Sequence, residues 1–95
     1  MRASSVDDHV TIVVDGHLDT GAGAKLVDAV TAALRGSPAR IDIDLSVLTS
    51  FTNDGAIALS NCRDLCSDVP DGLHYRTEGG AGQLALLSAF ASEPE

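Results

Sequence analysis

Residues 39–46 read ARIDIDLS. Ile41, Ile43 and Leu45 alternate with Arg40, Asp42 and Asp44, so an extended chain turns the aliphatic set one way and the charged set the other. That pattern predicts a strand with one buried face. On either side of it the hydrophobic period changes. The stretch HVTIVVDGHL (9–18) is β-branched, with Val10, Ile12 and Val14 on one face, and closes on a turn or bulge at Asp15-Gly16. The next run, LDTGAGAKLVDAVTAALRGSP (18–38), sets Leu26, Val30, Ala33 and Leu34 at helical spacing. Asp19 and Thr20 are its capping candidates, Gly21 and Gly23 weaken its first turn, and Gly36 with Pro38 stops it. After a loop at 49–55, GAIALSNCRDLC (55–66) places Leu59, Cys62 and Cys66 on one helical face with Ala58 and Leu65 flanking it. Thr52 or Asn53 is the expected N-cap. DVPDG (68–72) reads as a turn, LHYRT (73–77) as a short strand and GGAG (79–82) as a hinge-like loop. QLALLSAFA (83–91) reads as a last helix with Leu84, Leu87 and Ala91 on one face. The order β-α-β-α-β-α predicts one small α/β domain over residues 7–91, with a mixed β-sheet and crossover helices. Residues 1–6 and 92–95 are expected to be flexible ends.

Composition narrows the function. The only aromatics are Phe51, Tyr75 and Phe90, so the core is aliphatic and no stacking platform for bases or sugars is expected. Six basic residues against fourteen acidic ones give a formal net charge of −8. Such a surface repels phosphate backbones and anionic membranes, which argues against nucleic acid. It suits a basic protein partner, and equally it serves to keep a protein dissolved. Cys62 and Cys66, four apart on one predicted helix, have poor disulfide geometry and no neighbouring histidine for zinc, so both are expected in the core. Cysteine usage is compatible with a cytoplasmic location. MRASSVDD (1–8) does not resemble a signal peptide, and no apolar run is long enough to cross a bilayer, so no membrane insertion is expected.

No constellation of residues demands catalysis. His9, His17 and His74 fall on predicted strands or their edges without fixed spacing to Ser, Cys or Asp. Asp42 and Asp44 share a strand face, which alternation alone explains. DTGAGAK (19–25) lacks the spacing of a phosphate-binding loop and is followed by Leu26 rather than a metal-binding hydroxyl, while GGAG is too short for a dinucleotide fingerprint. A non-enzymatic chain without cofactor or metal is therefore expected. What remains is LSVLTSFTNDGAIAL (45–59), where Thr49, Ser50, Thr52, Asn53 and Asp54 crowd ahead of Gly55. By composition this is what any strand-to-helix loop uses.

Three motifs in order lift it above that. Gly16-His17-Leu18-Asp19, then Asp44-Leu45-Ser46, then Phe51-Thr52-Asn53-Asp54-Gly55 running into Ala56-Ile57-Ala58-Leu59, resemble the STAS domain, the family of bacterial anti-sigma factor antagonists. The resemblance covers about residues 9–91. It implies a protein-interaction module whose partner is an anti-sigma factor that is also a serine kinase. In such members a serine in the last motif accepts a phosphoryl group. A helix start tolerates phosphate well, yet the added charge drives a docked partner off. Here Thr52-Asn53 stands where the family has Asp-Ser. Asn53 has no hydroxyl to modify, and Asp54 adds a fixed negative charge. The resemblance thus implies docking through residues 50–57 with Asp19 and Asp44 beside them, the partner-binding set being Asp19, Asp44, Ser50, Thr52, Asn53, Asp54 and Gly55. A relocated phosphosite would fall on Thr52, with Ser50 or Thr49 behind it. Two other readings are a small STAS subunit of a bacterial lipid-transport ABC system, and a structural scaffold that has lost the switch. A ligand-binding crevice is disfavoured by the missing phosphate loop and the scarcity of aromatics.

Overall fold

A computed structural model describes residues 1–78 and 80–91 of the chain. Its elements are β1 (Arg2–Val6), β2 (His9–Val13), β3 (Gly16–Leu18), α1 (Thr20–Leu34), β4 (Arg40–Asp44), β5 (Leu48–Phe51), α2 (Asn53–Leu65), β6 (Leu73–Arg76) and α3 (Gly80–Ala91). They build a mixed α/β domain.

The alternating strand sits at the centre. β4 pairs in parallel with β2 on one side, Ile43 opposite Ile12, and with β6 on the other, Ile43 opposite Tyr75. β1 adds antiparallel to β2, giving the order β1-β2-β4-β6. Ile12, Val14, Ile41, Ile43 and Leu45 are essentially inaccessible, as are Leu26 and Val30 of α1 and Leu59 and Cys62 of α2. The intervening Thr11, Val13, Asp42 and Asp44 keep partial access on the opposite face, where the Nε and Nη2 of Arg40 donate to Asp42 at 3.0–3.2 Å. The helices therefore cover one face of the sheet. The chain leaves that sheet at Gly16, whose φ of +70° suits glycine, and β3 pairs in parallel with β5 in a separate two-stranded ribbon.

Burial pushes the Cys62 thiol up to about 12, with Cys66 beside it adding to the effect, and both cysteines are free and buried as expected. Leu65 is 41% exposed and does not join their face.

Three expectations need correction. Residues 2–6 form a strand rather than a flexible end. All five are exposed, so RASSV carries no alternation to read, and backbone pairing from Arg2↔Val13 to Val6↔His9 holds them. Residues 48–51, which take in the start of the loop expected at 49–55, are the strand β5. Thr49 and Ser50 there satisfy a ribbon in which Thr49 Oγ1 donates to the Gly16 carbonyl at 2.9 Å. In α3, Gly80 to Gly82 belong to the helix rather than to a hinge, and Ala85 and Ala89 are the buried positions. Leu84 and Leu87 are 59% and 57% exposed. The cause is Gly82: a Cβ there would stand 2.6 Å from the Leu45 carbonyl oxygen. That close approach turns the small residues 82, 85 and 89 inward and the leucines out. Gly79, the side chain of Ala91 and residues 92–95 lie outside the described residues.

This inverted face has a measurable consequence. Leu84→Ala is expected to change stability by less than about 0.5 kcal/mol, as for a surface position. Ala85→Leu is expected to cost about 1–3 kcal/mol by overpacking. Urea titration distinguishes them, and the reverse ranking would restore the leucine face to the core.

Candidate protein-docking site

The start of α2 is built against the corner between β3 and α1. Thr52 caps the helix: its Oγ1 accepts from the Gly55 N–H at 3.1 Å and its carbonyl from the Ala56 N–H at 2.9 Å. Its own N–H donates to the Leu18 carbonyl at 2.9 Å, extending the β3–β5 ribbon by one bond. Gly55 then passes directly over that corner. A Cβ on it would lie 2.0 Å from the Leu18 oxygen and 2.6 Å from the Leu18 carbonyl carbon, closer than atoms can approach, and 3.1 Å from Asp19 Cα. Gly23 of α1 meets the same crossing, 2.9 Å from Ala58 Cβ by the same test. Glycine is required at the crossing because two backbones touch.

The corner also fixes the first turn of α1. Asp19 caps it, accepting from the Ala22 N–H at 2.8 Å, and that bond, with a smaller contribution from the nearby His17, holds the Asp19 carboxyl below its ordinary value. One turn apart in space, Thr20 Oγ1 donates to Asp54 Oδ2 at 3.4 Å, tying the two helix starts together. On β5, Ser50 Oγ lies 2.6 Å from His17 Nδ1. From the other side, Ser88 Oγ of α3 donates to Asn53 Oδ1 at 3.4 Å.

The expected site residues therefore divide. Asp19, Ser50, Thr52, Asn53 and Asp54 lie around one exposed corner. Gly55 is buried, so its close approach is to the chain's own Leu18 and Asp19 rather than to a partner, which corrects the role expected for it. Asp44 ends β4 and binds Ser46 instead, accepting from its N–H at 2.9 Å and its hydroxyl at 2.6 Å; among the described residues no hydrogen bond links it to the corner. The Ser46 hydroxyl, then the Ser46 N–H, and to a lesser degree Arg76 hold the Asp44 carboxyl below its ordinary value.

Sequence reasoning missed three contributors. His17, Thr20 and Ser88 supply side-chain partners to the corner. Ile57, inside the expected 50–57 stretch, is 49% exposed and follows Asn53 by four residues, so it shares its helical face. Nothing in the sequence brings Ser88 to Asn53. Among the described residues no group of His, Cys, Asp or Glu is arranged to hold a metal, and no helix is long and apolar enough to cross a membrane.

Against solved structures, the chain superposes on an anti-sigma factor antagonist from Mycobacterium paratuberculosis with a TM-score of 0.75 at 22% identity, covering 87% of this chain and 70% of that one. The chain has a STAS-like fold. It also matches part of the protein Mglu, with a TM-score of 0.67 at 18% identity over 82% of this chain but only 19% of the length of Mglu. No protein-family model and no curated protein sequence matches the chain.

One prediction concerns the corner and one concerns Asp44. Gly55→Ala is expected to destabilise the fold by about 3 kcal/mol or more, because the contact is backbone on backbone and cannot yield; a urea midpoint close to wild type would show that the crossing is not this tight. Asp44 has a depressed folded-state pKa, so its contribution to stability is complete above its unfolded value of about 4 and is lost as pH falls through the lowered folded value. Ser46→Ala is expected to move the Asp44 titration up toward the ordinary carboxylate range, read by carboxyl-carbon NMR. An unmoved titration would assign the depression to the Ser46 N–H and Arg76 rather than to the hydroxyl.

Proposed function

We propose that this STAS-like chain is a non-enzymatic interaction module that acts as an anti-sigma factor antagonist. Its partner is a serine-kinase-type anti-sigma factor, and docking runs through residues 50–57 with Asp19 beside them. The observation that carries this reading is the surroundings of Asn53. It is exposed at the first position of α2, Ile57 stands one turn further on, and Ser88 hydrogen-bonds to it from the α3 face that presents Leu84 and Leu87. A polar helix entrance rimmed by exposed aliphatic side chains supplies both parts of a protein interface, an apolar anchor and a charge-sensitive centre. The net charge of −8 favours a basic counterpart. The likeness in fold to the mycobacterial antagonist supports the same general kind of activity.

Asn53 keeps the usual modification point permanently in its uncharged form. The hydroxyl next to it belongs to Thr52, which is the candidate for a relocated phosphosite. Phosphorylation there would place about −1.5 to −2 charges at the rim of the interface and release the partner.

Binding to a purified kinase-type anti-sigma factor, measured by calorimetry, tests the reading. Asn53→Glu and Leu87→Ala are each expected to weaken binding at least about tenfold, a cost typical of burying an unpaired charge and of removing an interface anchor. With ATP present, wild type is expected to gain one phosphoryl mass that Thr52→Val does not. Affinity indifferent to both substitutions would move the interface elsewhere, and co-purification with a membrane ATPase would favour the lipid-transport subunit instead.

A further inference from the structure

β1 is the edge of the four-stranded sheet, and its outer side has no pairing strand among the described residues. Such an edge is a template for another strand, and folded proteins blunt it with proline, lysine, a bulge or a cover. β1 has none of these. Its five residues, RASSV, contain no proline or lysine, and their register with β2 runs without a shift. Nor is it covered from below. Ala3 and Ser5, which share the helix-facing side with Ile12 and Val10, stand over an open groove of about 470 Å³ floored by Ala29, Ala32 and Ala33 of α1. The opposite edge is different: the inward Tyr75 of β6 packs against Phe90 of α3 at 5.8 Å.

The occupant is written into the ends of the strand. Arg2 begins β1, and Asp7 and Asp8 follow its last residue in the turn to β2. In an antiparallel pairing of two β1 strands about a two-fold axis at Ser4, Arg2 of one copy falls opposite Val6 of the other and beside its Asp7 and Asp8. The opposite charges then meet twice, once at each end. Serine faces serine at the axis, so no bulky side chain obstructs the approach. No other strand type needs to be invoked, because the edge is complementary to itself.

We propose that β1 pairs with β1 of a second copy, joining two four-stranded sheets into one continuous sheet and roofing the groove over α1. This goes beyond the antagonist reading and uses none of its residues, so either can fail alone. The charge of −8 on each copy opposes association, which places the equilibrium at high protein concentration.

Sedimentation velocity in about 0.15 M salt tests this, where screening limits the general repulsion. Wild type is expected to pass from monomer to dimer as its concentration rises, with amide exchange at residues 2–6 slowing in step. Arg2→Glu is expected to raise the dissociation constant about tenfold or more, and Arg2→Glu with Asp8→Arg to bring it back, since that pair restores both contacts with reversed sign. These positions are exposed, so circular dichroism is expected to be unchanged in both variants. A chain still monomeric near about 1 mM, where even weak pairing becomes visible, overturns the proposal. So does a dimer that ignores the charge exchange and leaves residues 2–6 unprotected.

Discussion

The contact between Gly55 and the Leu18 carbonyl is what the rest of the corner depends on. Two chain segments far apart in sequence cross there with no side chain between them, 2.0 Å from where a Cβ would stand. Because α2 begins hard against β3, Thr52 can both donate to Leu18 and cap its own helix. The same closeness brings Thr20 within reach of Asp54. An exposed, rigid helix entrance is a consequence of a buried glycine.

That geometry explains how a short, aromatic-poor chain presents a defined exposed corner. In the docking proposed for it, rigidity would lower the ordering cost of binding, and the small polar residues would let a partner approach the backbone. Asn53 itself carries no charge, and an anion added at its position would join the carboxylates of Asp54 and Asp19 already at the entrance. The apolar part comes from a helix whose leucines were displaced outward by Gly82 and Ala85 packing on the sheet side. Two close backbone approaches, at Gly55 and at Gly82, thus set the start of α2 and the outward leucines of α3.

Much of this was readable in the sequence. The alternation of Ile41, Ile43 and Leu45 placed the central strand, and the helical spacing of Leu26 and Val30 and of Leu59 and Cys62 placed two helices and their buried faces. Thr52 stood among the capping candidates, and the order of motifs pointed to the STAS-like fold. What was illegible had a common physical origin. β1 and β5 are held by backbone pairing and have little or no buried apolar set, so period-based reading had nothing to find. The orientation of α3 was misread because leucine outweighs alanine in any hydrophobic pattern, whereas space beside Leu45 admits only glycine and small residues. The long-range partners His17–Ser50 and Ser88–Asn53 are products of tertiary packing and leave no trace in local spacing.

Amide hydrogen exchange across residues 52–56, resolved by NMR, tests the preformed corner most directly. The Thr52 and Gly55 N–H groups, bound to the Leu18 carbonyl and the Thr52 hydroxyl, are expected to exchange as slowly as the core strands, while those of Asn53 and Asp54, at the open first turn of the helix, exchange rapidly. Rapid exchange at all four would mean that the corner frays in the free protein and that no rigid surface awaits a partner.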